Sequence, residues 1–298
     1  MIIRPKIKQF LEQALQEDIG TGDITTASVI SKTKKGRFII IAKSPCVVCG
    51  MGLTEACFEI AHKDTKFRPM ATDGTKVLKG KVVAHIEGYY YSVLTAERTA
   101  LNLLNWLSGI ATLTDRFVEA VKDYNVQIMD TRKTIPTLRY MQKYAVRTGG
   151  GINHRLGLYD QILIKDNHLV AVNNEQPLSE RENSVIIEAL LRAKRKPSKD
   201  LKIEIEVKNL EEFKEALVMS PDIIMLDNMK IQDIREAVSV RNAHRIKQQD
   251  LGFKTQIEAS GNINLENVAS FAETGVDRIS IGALTHSAPA ADFSLEAE

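Results

Sequence analysis

An α/β fold is predicted, an N-terminal α/β unit followed by an irregular α/β barrel, and three observations carry the prediction. Beyond residue 125, short β-branched runs recur: VQIMD, QILIKD, IEIEV, DIIMLD, TQIEAS and DRISIG. The last four are separated by helical segments such as LEEFKEALV, IQDIREAVSVR and LENVASFAETG. Strands alternating with helices imply parallel strands joined by crossover helices. Each run also ends in polar residues: Asp130 with Arg132 and Lys133, Lys165, Glu206, Asp227, Glu258 with Ser260, and then Gly282. A barrel gathers such strand ends on one rim, whereas a doubly wound sheet scatters several of them along an edge. Only six runs are clear, so the barrel is expected to be incomplete or irregular.

Taken in order, Ile7, Phe10, Leu11, Ala14 and Leu15 recur at helical spacing and predict an amphipathic helix ending near Gly20. EDIGTGDITT follows as a polar, turn-rich stretch with Asp and Thr available as caps. RFIIIAK is apolar throughout and reads as a buried strand. Cys46 and Cys49 form a CxxC, but no second Cys pair or spaced His pair follows. They are expected to be small buried side chains, not a metal or redox pair. DGTKVLKGKVVAHIEG has two short Val/Ile runs around Gly80, which predicts antiparallel strands of a small sheet. From Ser92 to about Val121 the chain is strongly helical, with Leu101, Leu104, Leu107 and Ile110 toward the core and Gly109 as a break. Arg98 follows Glu97 on this helix, and taken alone it reads as a surface ion pair. VNNEQPLSERENS reads as an exposed loop, and RNAHRIKQQDLG as a charged helix end or connector. The tail GALTHSAPAADFSLEAE is expected to leave the barrel at Pro289 and pack back on the first domain. The domains are therefore placed at 1–115 and 116–286, with 287–298 returning.

Composition narrows the class. A hydrophobic fraction of 44% and a charged fraction of 26% are ordinary for a soluble globular protein. With 40 basic against 38 acidic residues and only 6% aromatics, the chain does not read as a nucleic-acid binder. No segment reads as a signal peptide or membrane span. Three cysteines fit a reducing compartment, and a cytoplasmic location without a membrane partner is expected.

Positive charge gathers in one place. Between Asp130 and His168, Arg132, Lys133, Arg139, Lys143, Arg147, Arg155 and Lys165 stand against Asp130, Asp160 and Asp166, a local excess of +4 where the whole chain nets +2. The stretch includes the triple glycine Gly149 to Gly151 and the histidines His154 and His168. Forked donors beside a Gly-rich turn suit a multiply anionic small molecule. On the expected rim, Arg132, Lys133, Arg155, Lys165 and Arg139 can neutralise carboxylates or phosphates. Glu206 and Asp227 supply hard oxygens for Mg²⁺ or for sugar hydroxyls. Ser260 and Gly261 are expected to open the helix LENVASFAE and to offer a hydroxyl and N–H groups at its N-terminus, a phosphate seat. Gly282 with His286 is a candidate second seat. Taken singly, Glu204 or Glu206 can face solvent, Asp227 can be a helix cap, and His154 can be a packed core histidine. Their convergence on one mouth suggests a phosphorylated sugar together with a second anion.

The motifs DTRKT, GGGINHRLGLYDQILIKDNH, IEIEV, MLDN, EASGNI and ISIGALTHS, with EDIGTGDITT and AERTALNLLNWLSGIATLT before them, closely resemble the quinolinate phosphoribosyltransferases. The resemblance runs over nearly the whole chain in order. It implies an N-terminal α/β sandwich-like domain and an open, irregular seven-stranded α/β barrel. It also implies transfer of phosphoribosyl from phosphoribosyl pyrophosphate to quinolinate with loss of CO2, assisted by Mg²⁺ in a homodimer. By motif, Arg132, His154 and Arg155 are expected to hold the quinolinate carboxylates, with Lys165 nearby and Arg98 reaching in from the neighbouring subunit. Lys133, Glu206, Asp227, Ser260, Gly261, Gly282 and His286 are expected to contact the phosphoribosyl donor, with Glu206 and Asp227 near the metal. The family usually continues DTRKT as TPGLR, whereas this chain has Ile135, Pro136, Thr137, Leu138 and Arg139, a departure that leaves open the precise shape of the loop after Lys133 and not its chemistry.

Three other readings compete, one of them a phosphoribosyltransferase of the same fold that takes another aromatic acid. Lys165 at a strand end can be a Schiff-base nucleophile of an aldolase. The Val-rich N-terminal sheet can be a carrier module with a modified lysine at a tight turn, although no Met-Lys pair sits there.

Overall fold

The computed structural model describes residues 5–175, 183–195, 201–247 and 254–298. Parts of two segments discussed above, 176–182 and 248–253, lie outside them. The chain divides into two compact units, one made of residues 1–115, 136–150 and 287–298 and the other of 116–135 and 151–286. Residues 136–150, placed in the barrel by the sequence reading, group with the first unit.

In the first unit, α1 (Pro5–Ile19) buries Ile7, Leu11 and Leu15, a stripe spaced one turn apart. Gly20 ends it at φ +56, with its N–H on the Gln16 carbonyl, the left-handed stop that glycine takes without a Cβ clash. Asp23 then accepts from the Thr26 N–H and caps a short helix, α2 (Ile24–Val29), where the sequence suggested only turns. Strand β1 (Lys35–Ala42) buries Phe38, Ile40 and Ala42 on one face, while Ile39 and Ile41 stay half-exposed. The apolar run is thus a one-sided strand and not a fully buried one. Next come β2 (Cys46–Val47), α3 (Met51–Ala61), β3 (Lys66–Pro69), β4 (Lys76–Val77), β5 (Val82–Tyr89) and α4 (Tyr90–Ala120). The runs flanking Gly80 do not pair with each other: β4 is antiparallel to β2, and β5 lies between β1 and β3. No carrier-type hairpin is formed there.

Helix α4 is continuous through Gly109, which corrects the expected break. A Cβ at Gly109 would lie 2.1 Å from the Pro289 carbonyl oxygen, so the missing side chain admits the returning tail. The tail is held further by Ala291 N–H on the Asn105 carbonyl and Phe293 N–H on Asn105 Oδ1. It ends as β12 (Phe293–Ala297), an antiparallel edge beside β1 in the sheet order β12-β1-β5-β3. Cys46, Cys49 and Cys57 are free and buried. Burial pushes the Cys49 thiol up to about 12, and its backbone is tied to Ser108 Oγ in both directions. Such a thiol packs; it does not react. Helix α5 (Arg139–Thr148) completes this unit.

Among the described residues the second unit holds six parallel strands: β6 (Gln127–Met129), β7 (Ile162–Ile164), β8 (Ile203–Val207), β9 (Ile223–Asp227), β10 (Gln256–Ser260) and β11 (Arg278–Ser280). Their order is β6-β11-β10-β9-β8-β7. Between them run α6 (Asp166–Glu175), α7 (Val185–Lys194), α8 (Leu210–Val218), α9 (Ile231–Lys247) and α10 (Val268–Ala272), with α11 (Ala283–His286) after β11. Residues 172–175, read as loop, are the end of α6. Since β6 lies beside β11, the sheet curls back on itself and leaves a gap between β6 and β7. Ile152 enters that gap, forming a single parallel bridge to Met129. It stands where a seventh strand would be, which is how six sequence runs and an open barrel agree.

Candidate active site

The carboxyl ends of the strands surround a cavity of about 800 Å³. Arg132, Lys133, His154, Arg155, Lys165, Glu206, Asp227, Ser260, Gly261, Gly282 and His286 all line it. Arg98 does not. It lies in the first unit on α4, 60% exposed, 4.0 Å from Glu97. Arg139 is likewise outside the lining, on α5.

The cationic side is assembled from two loops. After β6, Asp130 is fully buried; its Oδ1 accepts the His154 N–H at 2.9 Å and its Oδ2 the Asn153 side-chain amide at 2.6 Å. A buried carboxylate thus ties the DTRK strand end to the NHR turn. Arg155 donates from Nη1 to the Gln161 carbonyl at 3.2 Å. Burial, and then the neighbouring Arg132 guanidinium, lower the Arg155 pKa. The Nε atoms of Arg132 and Arg155 and the Ser280 hydroxyl are buried without a hydrogen-bond partner. Two adjacent guanidiniums lining one cavity are explained by an anion.

Across the cavity, Lys165 Nζ contacts Glu206 Oε2 at 2.7 Å. Glu206 is largely buried and Glu204 wholly so, so neither faces solvent. Asp227 ends β9, and Asn228 at φ +55 turns the chain directly after it, its N–H on the Ser260 carbonyl. Gly261 takes φ +104, and a Cβ there would lie 2.2 Å from Asn228 Oδ1. Ser260 therefore ends β10 and Gly261 begins a loop folded onto Asn228, neither at a helix N-terminus; α10 starts only at Val268. Gly282 fits between Lys133 and His286, within about 3 Å of each at the position of a Cβ, and Thr285 Oγ1 donates to the Lys133 carbonyl at 2.7 Å.

The triple glycine does not serve as an anion cradle. Gly149 caps α5, its N–H on Ala145, and a Cβ there would lie 2.2 Å from the Ala111 carbonyl oxygen on α4. It permits helix packing. His168, the other histidine of that stretch, accepts the Lys165 N–H on Nδ1 at the start of α6.

Beneath the lining lies a group the sequence reading did not assemble. His154 Nε2 is 3.1 Å from Glu204 and 3.4 Å from Glu258, and both carboxylates are fully buried. Arg278 is 3.7 Å from Glu258, and the Gln161 amide donates to Glu204. Nε2 and one oxygen of each glutamate lie within 4.8 Å of one another, a spacing that suits a metal ion. Charge offers a simpler account: one proton on the His154–Glu204 pair together with Arg278 balances both carboxylates. Burial works against a charged His154 ring, but the two glutamates outweigh it and push the ring up to about 9. Burial and the Glu258 charge likewise raise Glu204. The neutral ring accepts the Arg155 N–H on Nδ1 at 2.8 Å and carries its own proton on Nε2, toward the carboxylates; the charged ring forgoes that Nδ1 bond. Both ring nitrogens are thus engaged within the protein.

The chain matches the models of the quinolinate phosphoribosyl transferase N-terminal domain over residues 23–108 and C-terminal domain over 110–296. A probable carboxylating nicotinate-nucleotide pyrophosphorylase of Methanocaldococcus jannaschii is 43% identical over 97% of this chain and 96% of that one. The probable Bacillus subtilis counterpart is 38% identical, over 98% and 93%. The solved nicotinate-nucleotide pyrophosphorylase of Francisella tularensis superposes with a TM-score of 0.87 at 35% identity, covering 100% of this chain and 98% of that one.

Proposed function

The chain belongs to the quinolinate phosphoribosyl transferase family, and from that premise we propose how its barrel mouth carries out the family reaction. Quinolinate and phosphoribosyl pyrophosphate give nicotinate mononucleotide, pyrophosphate and CO2. The observation that carries the assignment of roles is the adjacent Arg132 and Arg155 guanidiniums, both lining the 800 Å³ cavity and close enough for one to lower the pKa of the other. Such a pair suits a rigid diacid, whose two carboxylates balance the two positive charges.

Arg132 and Arg155 grip the quinolinate carboxylates, with Lys165 beside them. Glu206 and Asp227, at the ends of adjacent strands, are the donor set for Mg²⁺, hard oxygens from few side chains with room for substrate phosphate. When bound, that ion supplies charge neutralisation for the departing pyrophosphate. Lys133 and His286, brought together at Gly282, with Ser260 and the Gly261 loop, hold the donor's phosphates. As the ribosyl C1–pyrophosphate bond breaks with oxocarbenium character, the clamped ring places its nitrogen in line with C1. The bond from nitrogen to C1 makes the ring a pyridinium, which accepts the electron pair of the adjacent carboxylate as CO2 leaves. That ring carbon then takes up a proton. No covalent enzyme intermediate is required, and Lys165, engaged by Glu206, has a role without an imine. Free, buried cysteines fit a cytoplasmic enzyme.

Arg98 acts from a second copy of the chain in a homodimer, completing the carboxylate clamp. Its exposure on α4 and its weak 4.0 Å pairing with Glu97 leave it available. If so, mixing Arg98→Ala with Arg132→Ala protomers restores one intact site per heterodimer, about a quarter of wild-type turnover for random reassociation. Two dead variants that stay dead on mixing would remove Arg98 from the shared site.

The direct test supplies the protein with quinolinate, phosphoribosyl pyrophosphate and Mg²⁺ and looks for nicotinate mononucleotide. Product from nicotinate, and none from quinolinate, would overturn the assignment.

A further inference from the structure

We infer that Glu204 and Glu258 are positioning residues for the acid-binding half of the site, acting through His154. The inference rests on the quinolinate reading above. His154 lines the cavity, yet Nδ1 is occupied by the Arg155 N–H and Nε2 lies between the two carboxylates. A ring so engaged is poorly placed to grip a substrate. It is well placed to fix the turn that carries Arg155.

Geometry supports this from each side. The main chain of the turn is held by Asp130 through the His154 N–H and the Asn153 amide. Its side-chain anchor is His154 Nε2 on Glu204 of β8 and Glu258 of β10. Arg155 in turn leans on the Gln161 carbonyl, while the Gln161 side chain reaches Glu204. Three strands of the barrel, the one ending at Asp130 and those carrying the two glutamates, therefore determine where one guanidinium points. Both Glu258 oxygens are fully buried and lack a well-formed hydrogen bond. Only charged neighbours, His154 and Arg278, account for a carboxylate in that position.

The test compares Glu258→Gln, Glu204→Gln, His154→Gln and the double variant His154→Gln/Glu258→Gln with wild type. Thermal unfolding establishes that each folds, and direct quinolinate binding is measured beside steady-state kinetics. A clamp displaced by a fraction of an ångström should raise the quinolinate KM and Kd on the order of ten- to hundred-fold. The KM for phosphoribosyl pyrophosphate should move less than about two-fold, because the later strands hold that substrate. In the His154→Gln background, Glu258→Gln should add nothing further, as expected of residues acting as one unit. Full additivity, or equal loss for both substrates, would overturn the inference. So would a stoichiometric metal ion in the wild type that Glu258→Gln abolishes, since the glutamates would then be ligands. If wild type neither binds nor converts quinolinate, the underlying reading has failed; normal wild-type activity with an unchanged quinolinate KM in the variants defeats this inference alone.

Discussion

Arg132 states the physics of the site at its smallest scale. Its guanidinium lines the cavity beside that of Arg155, a repulsion between like charges that a bound anion relieves. Arg132→Ala should leave one substrate carboxylate unpaired in a desolvated pocket, costing about 2–5 kcal/mol of transition-state binding. That corresponds to roughly a thirty-fold or greater fall in kcat/KM for quinolinate. Near-normal kinetics in this variant would contradict the clamp. His154 gives a second prediction, in pH. The unperturbed ring titrates at 6.5 and the folded one at about 9, so the folded state holds the proton more tightly. The resulting stability is whole below about pH 6.5 and is lost as the pH rises to about 9. Denaturant midpoints measured across that window should fall for wild type and fall less for His154→Gln.

At the scale of elements, glycines mark where backbones touch. Gly149 lets α5 approach α4, and Gly149→Ala should lose about 1–3 kcal/mol of stability by overpacking against the Ala111 carbonyl. An unchanged melting temperature would show that the helices can separate at no cost. The same residue shows what the sequence hid. Three glycines next to arginines have the composition of an anion cradle, and nothing local distinguishes a cradle from a helix contact whose partner lies on α4. The strand ends were legible because β-branched runs and their polar exits are local signals: Arg132, Lys165, Glu206, Asp227 and Ser260 line the cavity as read. The partners of His154 were not, because Glu204 and Glu258 lie on separate strands and meet it only when the sheet curls. EASGNIN misled for a related reason, since Gly261 and Asn262 take left-handed conformations and delay the helix to Val268.

For the whole molecule, the telling arrangement is the sheet order β12-β1-β5-β3, in which the last strand of the chain borders the first. Deleting residues 292–298 should expose the edge of β1, an apolar strand with unpaired N–H and C=O groups, and promote aggregation. Light scattering of the truncated protein against wild type would show it, and a monodisperse truncation with wild-type melting would argue that β12 is dispensable. The order also has a consequence for synthesis. On the ribosome the N-terminal segment emerges first, yet its sheet lacks one edge, and α5 and the tail that fills Gly109 are still to come. During synthesis the edge of β1 therefore stays uncovered while the barrel is made, until residues 287–298 reach it. Loss of this short returning segment would then cost the fold far more than its few residues suggest.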